Sequence, residues 1–321
     1  MKRFAVSRVL LGGVFLFTAA CATPTTIPMQ TARTATRAAA TLTPDLPYAL
    51  GAVITDREPD IGPTTATRAR VPVAADLRPN CSPVANQASF GSCTAFAIIK
   101  GFREYLSRKE GNNTDLSARF FWYAERQYVD EVMGGDSVNA NAGVPTELGM
   151  VAIGKYGTTA EAVFPYPSLA EFAAIKQLPK PEQGPALDKL AAVPPPAESW
   201  DKAKAYRVTQ PIKPCGDVAG MKSAFAAGKP VVLAFRLYES FATKDVAATG
   251  NVPVPDLTKE KALGGHAMCG VGYDDQKKVI IVRNSWSEKW GDKGYCYVPY
   301  AYFQVKDAMG RGLVKGGWTI Q

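Results

Sequence analysis

The sequence predicts an α+β protein with two lobes, a helical lobe followed by an antiparallel sheet, and a cleft between them. Apolar residues recur at helical spacing in three segments of the first half, whereas four β-rich runs between 229 and 303 are separated by Gly and Asp turns. The chain has 321 residues, 46% of them hydrophobic and 21% charged, which suffices for a substantial core. Its formal net charge of +8 is spread out, without the run of basic residues that a nucleic-acid groove favours.

The N-terminus has the layout of an export signal, which we assign to residues 1–21. Three basic residues precede a short apolar run from Val9 to Phe17, and small residues follow. The run is too short for a transmembrane span. Cleavage after Ala20 would leave Cys21 for lipidation, as in bacterial lipoproteins, although Thr18 stands where that motif usually has Leu; cleavage after Ala22 is the alternative.

Residues 22–70 are predicted to be a flexible tether and a short N-terminal extension. The stretch from 23 to 45 is rich in Ala, Thr and Pro and has almost no large apolar groups that could offset the entropy of ordering. From 46 to 70 the sparse apolar residues favour a strap on the domain surface or a short pro-segment. The folded domain is then expected over 71–321.

The helical lobe is predicted over about 90–175. Its first helix begins near Cys93, with Ser92 as a candidate N-cap and Gly111 as the stop. A second helix is predicted to begin at Thr114 or Asp115, and a third to lie between Pro145 and Gly157. Cys93 is therefore expected in the first turn of a helix.

The second lobe is predicted over about 200–321. A Pro-rich stretch from 178 to 198 reads as a long surface connection with one short helix. After it, "DVAGMKSAFAAG" predicts a helix, and "KPVVLAFRLY", "HAMCGVGY", "KKVIIVRNSW" and "GYCYVPYAYF" predict strands.

His266 is the only histidine in the chain, so an imidazole that activates Cys93 must be this one. The strand that contains His266 is joined to the next strand by a short turn-like segment, so the two are predicted to form a hairpin. A loop over 273–277 makes His266 face Asn284, and a four-residue loop moves the facing residue to Ser285, so the register is open by one residue. An amide oxygen beside the imidazole would fix its tautomer and leave the other nitrogen for a nucleophile.

Cys93 is predicted to react as a thiolate. A thiol at a helix N-terminus beside a protonated imidazole has a lowered pKa, because both stabilise the anion. Six residues earlier, Gln87 can direct its amide donors at a carbonyl oxygen as charge develops there, and with the backbone N–H of Cys93 it would form an oxyanion hole.

These motifs resemble those of the papain-like cysteine peptidases. The matching pieces are "SPVANQASFGSCTAFA", "GVPTELG", "FPYP", "GGHAMCGVGYDD" and "VRNSWSEKWGDKGYCYVPY", in that family's order and over roughly 72–321. The resemblance implies a papain-like fold with a β-barrel-like second lobe, catalytic Cys93, His266 and Asn284, and Gln87 in the oxyanion hole. It also implies that Trp286 shields the His–Asn pair and that Gly143 lines the substrate groove. Gly265, beside the histidine, is expected to leave the pocket open and uncharged.

The chain departs from the family pattern in three respects. Phe90 replaces the cysteine that animal and plant members carry there, Thr94 replaces the usual Trp, and the 173 residues between Cys93 and His266 exceed the roughly 130–150 typical of the family. The Pro-rich connection would account for the extra length as an inserted surface loop.

The other cysteines, Cys81, Cys215, Cys269 and Cys296, would allow three pairings in an oxidising compartment, and one or two disulfides are expected. A metal site is not favoured, because the chain has one His and no Cys pair at ligand spacing, and no cofactor is expected.

The function predicted from these features is hydrolysis of peptide bonds through an acyl-enzyme. A weakly active peptide-binding protein on the same scaffold and an acyl transferase remain as alternatives. We expect a monomer that acts on a peptide or protein substrate, binds no nucleic acid, and meets a membrane only through an N-terminal lipid. The expected location is the cell envelope, lipid-anchored at the outer membrane, or else secreted or periplasmic.

Overall fold

The computed structural model describes residues 48–62 and 71–321. The predicted signal, the tether up to residue 47 and the lipidation site at Cys21 lie outside these ranges. Within them, no helix has the length and apolar character needed to cross a membrane.

The helices lie mainly in the first two thirds of the folded chain. They are α1 (Cys93–Ala95), α2 (Glu104–Lys109), α3 (Ala118–Met133), α4 (Thr146–Lys155), α5 (Leu169–Lys176), α6 (Lys180–Ala191), α7 (Ser199–Ala203), α8 (Val218–Ala226) and α9 (Lys244–Thr249). A π-helical stretch, Phe96–Arg103, joins α1 to α2, so the chain is helical without interruption from Cys93 to Lys109.

The three predicted helices of the first half are confirmed, with corrections at their ends. Ser92 precedes the first helix, but its hydroxyl pairs with the hydroxyl of Tyr166 at 2.7 Å and does not cap the helix. The second helix begins at Ala118, later than predicted, because the Ser117 hydroxyl accepts the N–H of Phe120 and caps it there. The third helix follows Pro145 as expected.

The predicted surface connection over 178–198 is present, and its one helix, α6, is longer than the short helix expected. Most of its residues are exposed or half-buried, although Leu187 is buried in the core at 3% exposure. Pro181 lies in the first turn of α6, where a helix needs no N–H, and Pro185 lies inside the helix. Just before this stretch, α5 adds a helix that was not predicted, and its Phe172 is buried.

The second lobe is an antiparallel sheet. Its strands are β1 (Ala74–Asp76), β2 (Ile212–Pro214), β3 (Val231–Tyr238), β4 (Ala262–Asp274), β5 (Val279–Arg283), β6 (Tyr295–Pro299) and β7 (Val314–Ile320). They follow the order β2-β7-β3-β4-β5-β6, and β1 pairs with the far half of β4. The predicted α+β arrangement, helices plus an antiparallel sheet, is confirmed.

Neither of the two hairpin registers considered for β4 and β5 is present. Asp274 pairs with Val279 across a four-residue turn, and a bulge at Val271 shifts the pairing so that Cys269 faces Arg283. Extending that register would place Asn284 opposite Met268, two residues from His266 on the same side of the sheet. Asn284 is therefore a diagonal neighbour of His266 and not its facing residue.

The helical lobe packs directly on β4. Gly101 makes the approach possible, because a Cβ at this position would lie 2.4 Å from the Cβ of Cys269. One continuous apolar cluster extends from the helices into the sheet. The first turn of the Cys93 helix is thereby held against the middle of β4, where His266 lies.

Candidate active site

Cys93 lies against β4 beside the position of His266, where the helical lobe contacts the sheet. The backbone N–H of Ala267, the residue after His266, donates to the sulfur of Cys93 at 3.4 Å. Both side chains are 0% exposed. The fold thus brings the Cys93 sulfur to the residue next to His266, although 173 positions separate Cys93 from His266 in the chain.

Asn284 orients the imidazole. Its Oδ1 lies 2.8 Å from Nε2 of His266, and because an amide oxygen only accepts, Nε2 carries the proton. Nδ1 of His266 is buried without a hydrogen-bond partner among the described residues. The contact that the sequence predicted is present, and it leaves one ring nitrogen unprotonated and unpaired.

Gln87 faces the same site from the loop before Cys93. Its Nε2 donates to two backbone carbonyls, those of Ala49 at 2.9 Å and Phe90 at 3.0 Å, and its Oε1 accepts the hydroxyl of Ser285 at 2.5 Å. One amide hydrogen of Gln87 therefore fixes the loop, while the other binds a peptide carbonyl from a distant part of the chain.

That distant part is residues 48–62, which we call the cover segment. The sequence predicted a strap on the domain surface or a short pro-segment for residues 46–70, and the segment lies in the cleft. Ala52 donates to the carbonyl of Gly265 at 3.0 Å and forms a parallel bridge with Val144, and Tyr48 stacks on Trp286 at 4.8 Å and 7°. Backbone hydrogen bonds to both walls of the cleft hold the segment in place and offset its ordering entropy.

Glycines on both sides make the cleft narrow enough for an extended backbone. A Cβ on Gly143 would lie 1.6 Å from the carbonyl oxygen of Gly51, and one on Gly265 would lie 2.0 Å from that of Ala52. Gly51 itself has no room for a side chain, since its Cβ would lie 2.0 Å from the oxygen of Gly91. Gly143, Gly265 and Trp286, the predicted substrate-binding residues, thus all contact the cover segment.

Burial determines the charge state of the pair in this covered state. It raises the pKa of the Cys93 thiol to about 11, against the smaller opposing effect of the N–H groups of Ala267 and Gly51. It lowers the pKa of His266 to about 4, against the opposing effect of the hydrogen bond that His266 donates to Asn284. Both shifts favour a neutral thiol beside a neutral imidazole, so the predicted thiolate–imidazolium pair does not describe the covered state.

Sequence reasoning missed two residues that hold the site together. The Tyr166 hydroxyl contacts the Gln87 carbonyl at 2.8 Å and the Ser92 hydroxyl at 2.7 Å, and so links the Gln87 loop to the start of the helix. Ser285 bonds the side chain of Gln87, and its N–H donates to Oδ1 of Asn284 at 2.8 Å. Both lie in motifs quoted above, "FPYP" and "NSW", but only the tertiary contacts reveal their partners.

Contrary to expectation, no disulfide joins Cys81, Cys269 and Cys296. Cys81, Cys269 and Cys296 carry free thiols, as does Cys93. Cys269 and Cys296 are 0% exposed, and Cys215 is also buried. Cys269 packs against Gly101 under the helical lobe, where it acts as a small apolar side chain.

Comparison with known proteins gives a family match over most of the folded chain. The model of the papain family cysteine proteases matches residues 71–306. An uncharacterized peptidase C1-like protein of Acanthamoeba polyphaga mimivirus is 30% identical over 244 residues, which cover 74% of this chain and 68% of the viral protein. The cathepsin B-like protein CP3 of Giardia intestinalis is 28% identical, over 73% of this chain and 70% of its own.

Among solved structures, xylellain, a cysteine protease from Xylella fastidiosa, matches with a TM-score of 0.67 and 25% identity. The alignment covers 86% of this chain and 96% of xylellain. Procathepsin L2 from the larval midgut of Tenebrio molitor matches with a TM-score of 0.56 and 19% identity, over 87% of this chain and 80% of its own, which supports the fold alone.

Proposed function

Because the chain belongs to the papain family of cysteine proteases, we propose that it hydrolyses peptide bonds with Cys93 as nucleophile and His266 as general base and acid. The observation that carries this assignment is the hydrogen bond from Nε2 of His266 to Oδ1 of Asn284. It leaves Nδ1 as the only basic nitrogen of the only imidazole in the chain, and the residue after His266 contacts the sulfur of Cys93.

The proposed reaction has two steps. Nδ1 of His266 takes the thiol proton, the sulfur of Cys93 attacks the scissile carbonyl carbon, and the resulting imidazolium returns the proton to the leaving amine. The acyl-enzyme that remains is cleaved by water, with His266 as base. Asn284 keeps the imidazole in one tautomer and one orientation through both steps.

Gln87 is proposed to bind the oxygen on which negative charge develops. Its Nε2 already holds the carbonyl oxygen of Ala49 in the cleft at 2.9 Å, a distance suited to an oxyanion donor. Ser285 holds Oε1 of the same amide, so the donor is fixed before a substrate binds.

The cover segment makes this enzyme latent. Gln87, Cys93 and His266 are all 0% exposed, and the carbonyl position beside Gln87 is occupied by Ala49. A substrate can therefore reach Cys93 only after the cover segment leaves the cleft. Removal of the cover also admits water, which relieves the burial that holds Cys93 and His266 neutral.

The full-length chain offers a matched pair of variants for a test. Gly51→Val places a side chain where a Cβ would lie 2.0 Å from Gly91, and should expel the cover segment. Gly62→Ala, in the same segment, meets its nearest atom at 3.5 Å, an ordinary contact, and should leave the segment docked.

Hydrolysis of a fluorogenic peptide library is the measurement. We expect Gly51→Val to cleave the library much faster than the wild type and Gly62→Ala, and Cys93→Ala to abolish that activity in the Gly51→Val background. Activity that survives Cys93→Ala would show that the assigned nucleophile is wrong. Tight binding of peptides by Gly51→Val without any cleavage would favour the peptide-binding alternative.

A further inference from the structure

The helical connection α5–α6 touches the loop that carries Gln87 and Cys93, and these contacts have no part in the reaction described so far. Phe172 of α5 packs edge-on against Phe90 at 4.9 Å. Asp188 of α6 accepts the backbone N–H of Asn141 at 2.7 Å through Oδ1. One side chain of this connection thus contacts Phe90, three residues before the nucleophile, and another contacts Asn141.

Asn141 passes the contact on to the loop. Its Oδ1 accepts the N–H of Gly91 at 2.7 Å, and its Nδ2 donates to the carbonyl of Ser89 at 3.1 Å. Both bonds are buried, and they hold the backbone on either side of Phe90. The position of the Asn141 side chain depends on the Asn141 backbone, and the Asp188 carboxylate holds that backbone by accepting its N–H.

The same peptide unit reaches Gln87. The N–H of Gly91 and the carbonyl of Phe90 belong to one planar peptide group, and that carbonyl accepts Nε2 of Gln87 at 3.0 Å. A continuous chain of hydrogen bonds therefore runs from Asp188 through Asn141 and the Phe90–Gly91 peptide to Gln87. If this peptide rotates, the amide of Gln87 must follow or lose its bond.

The neighbouring contacts anchor α6 at its far end. The buried guanidinium of Arg126 donates to the carbonyl of Ala191, the last residue of α6, at 2.8 Å and to that of Ala140 at 2.6 Å. Ala140 directly precedes Asn141, so α6 is fixed relative to the segment that it supports. Phe90 also packs on Trp122 at 4.5 Å, which closes the other side of the loop.

We propose that α5–α6 is a support for the oxyanion donor and that Asp188 is a positioning residue that sets the orientation of Gln87 through Asn141. The proposal rests on the proposed function, because it assigns Asp188 a role in that reaction. Gln87 acts on the transition state more than on bound substrate, so a loss of its orientation should lower kcat and leave KM nearly unchanged. It should also leave Cys93 and His266 untouched, because the helix and β4 hold them independently.

The test uses the full-length Gly51→Val protein as parent. Asp188→Ala should lower kcat about 10-fold, less than the ~10²-fold that a displacement of about 1 Å can cost. KM and the pH profile of Cys93 alkylation should stay at the parent values. Asp188→Asn keeps an acceptor oxygen and should retain most of the activity. Asp274→Ala is the matched control, because Asp274 accepts backbone N–H groups in the remote β4–β5 turn.

A double-variant cycle with Gln87→Ala decides whether Asp188 acts through Gln87. If it does, Asp188→Ala should cause no further loss in the Gln87→Ala background. The same loss in both backgrounds, or parent kcat in Asp188→Ala, would overturn the proposal. If Asp188→Ala fails to fold, Asp188→Ser tests the same hydrogen bond, because the serine side chain is too short to reach the N–H of Asn141. An inactive Gly51→Val parent would instead refute the proposed function, so the two failures are distinguishable.

Discussion

The protonation states of Cys93 and His266 depend on whether the cover segment is in place. Covered, the thiol has its pKa raised to about 11 and the imidazole has its pKa lowered to about 4, both because of burial. Uncovered, water stabilises both charged forms, and each charge stabilises the other. The residues that appear inert in the structure are therefore the ones expected to form the reactive pair.

Alkylation of Cys93 should report this change. In the wild type, alkylation should stay slow through neutral pH, because the thiolate becomes populated only as the pH approaches about 11. In Gly51→Val it should persist below neutral pH, and adding His266→Ala should return the profile toward a free thiol with a pKa of ~8.5. The iodoacetamide rate against pH, read at Cys93 by mass spectrometry, gives each profile. A Gly51→Val thiol that reacts only above pH ~8 would contradict the ion pair.

At the scale of elements, the cover segment is joined to both lobes. Its second half runs along β7, where Ile61 donates to Val314 and Gly316 donates to Pro59 at 3.1 and 3.0 Å. Helix α4 has Pro145 at its N-cap, and proline has no side-chain oxygen to accept the free N–H groups of the first turn. Glu58 provides this acceptor, because its Oε1 accepts the Thr146 hydroxyl and the N–H of Glu147. Release of the segment therefore uncaps a helix as well as the cleft.

The Glu58 contact predicts a pH dependence of latency. Burial raises the pKa of Glu58, outweighing the hydrogen bonds from Thr146 and Glu147 that lower it. With the segment docked, the pKa of Glu58 lies above the value of ~4.3 for a free Glu. Protonated Glu58 therefore stabilises docking fully below pH ~4.3, and this stabilisation is lost as the pH rises through the pKa of docked Glu58. Wild-type activity relative to Gly51→Val should therefore rise with pH across this window.

Glu58→Gln should remove that dependence, because the amide stays neutral and keeps its acceptor oxygen. Peptide hydrolysis across the same pH range, with each variant normalised to Gly51→Val, is the measurement. Asp56→Asn serves as the control, since Asp56 lies in the same segment with a side chain that is 81% exposed. An unchanged pH dependence in Glu58→Gln would show that another group controls docking.

At the scale of the whole molecule, the sequence predicts separate tasks for the folded domain and the N-terminal part. The described residues form the papain-like fold and the cover segment, while the predicted signal and Cys21 lie outside them. We propose that Cys21 is acylated and tethers the enzyme to the cell envelope, at the outer membrane of a double-membraned bacterium. The basis is the sequence pattern of residues 1–22.

Cys21→Ser tests the anchor. The wild type should partition with membranes, and the variant should become soluble or be processed differently, because a lipid chain is the source of membrane affinity in this proposal. Fractionation followed by sequencing of the mature N-terminus is the measurement. A wholly soluble wild type that begins at Thr23 would reject lipidation in favour of the alternative cleavage after Ala22.

Much of the site could be predicted from local sequence. The choice of catalytic residues was narrow, because the chain has one histidine and a cysteine at a predicted helix start. Gln87 and Asn284 lie at the expected distances from them along the chain. The helix at Cys93 and the strands around His266 also follow from the period of their apolar residues, which depends on neighbours in sequence. At 178–198 composition predicted a surface connection with one short helix but not the length of α6, because Pro185 lies inside this helix, where proline is disfavoured.

Only the tertiary structure decided which groups meet across long separations. The bulge at Val271 changed the hairpin register, yet the Asn284 side chain spans the diagonal to His266, and neither fact is encoded by local pattern. The docking of Gly51 between Gly91 and Gly143 depends on backbones from three distant segments with no side chains between them. The sequence determines which groups can react, because their chemistry is intrinsic to the side chains. Their protonation states, their burial under the cover segment and their support by α5–α6 depend on contacts that exist only in the folded chain.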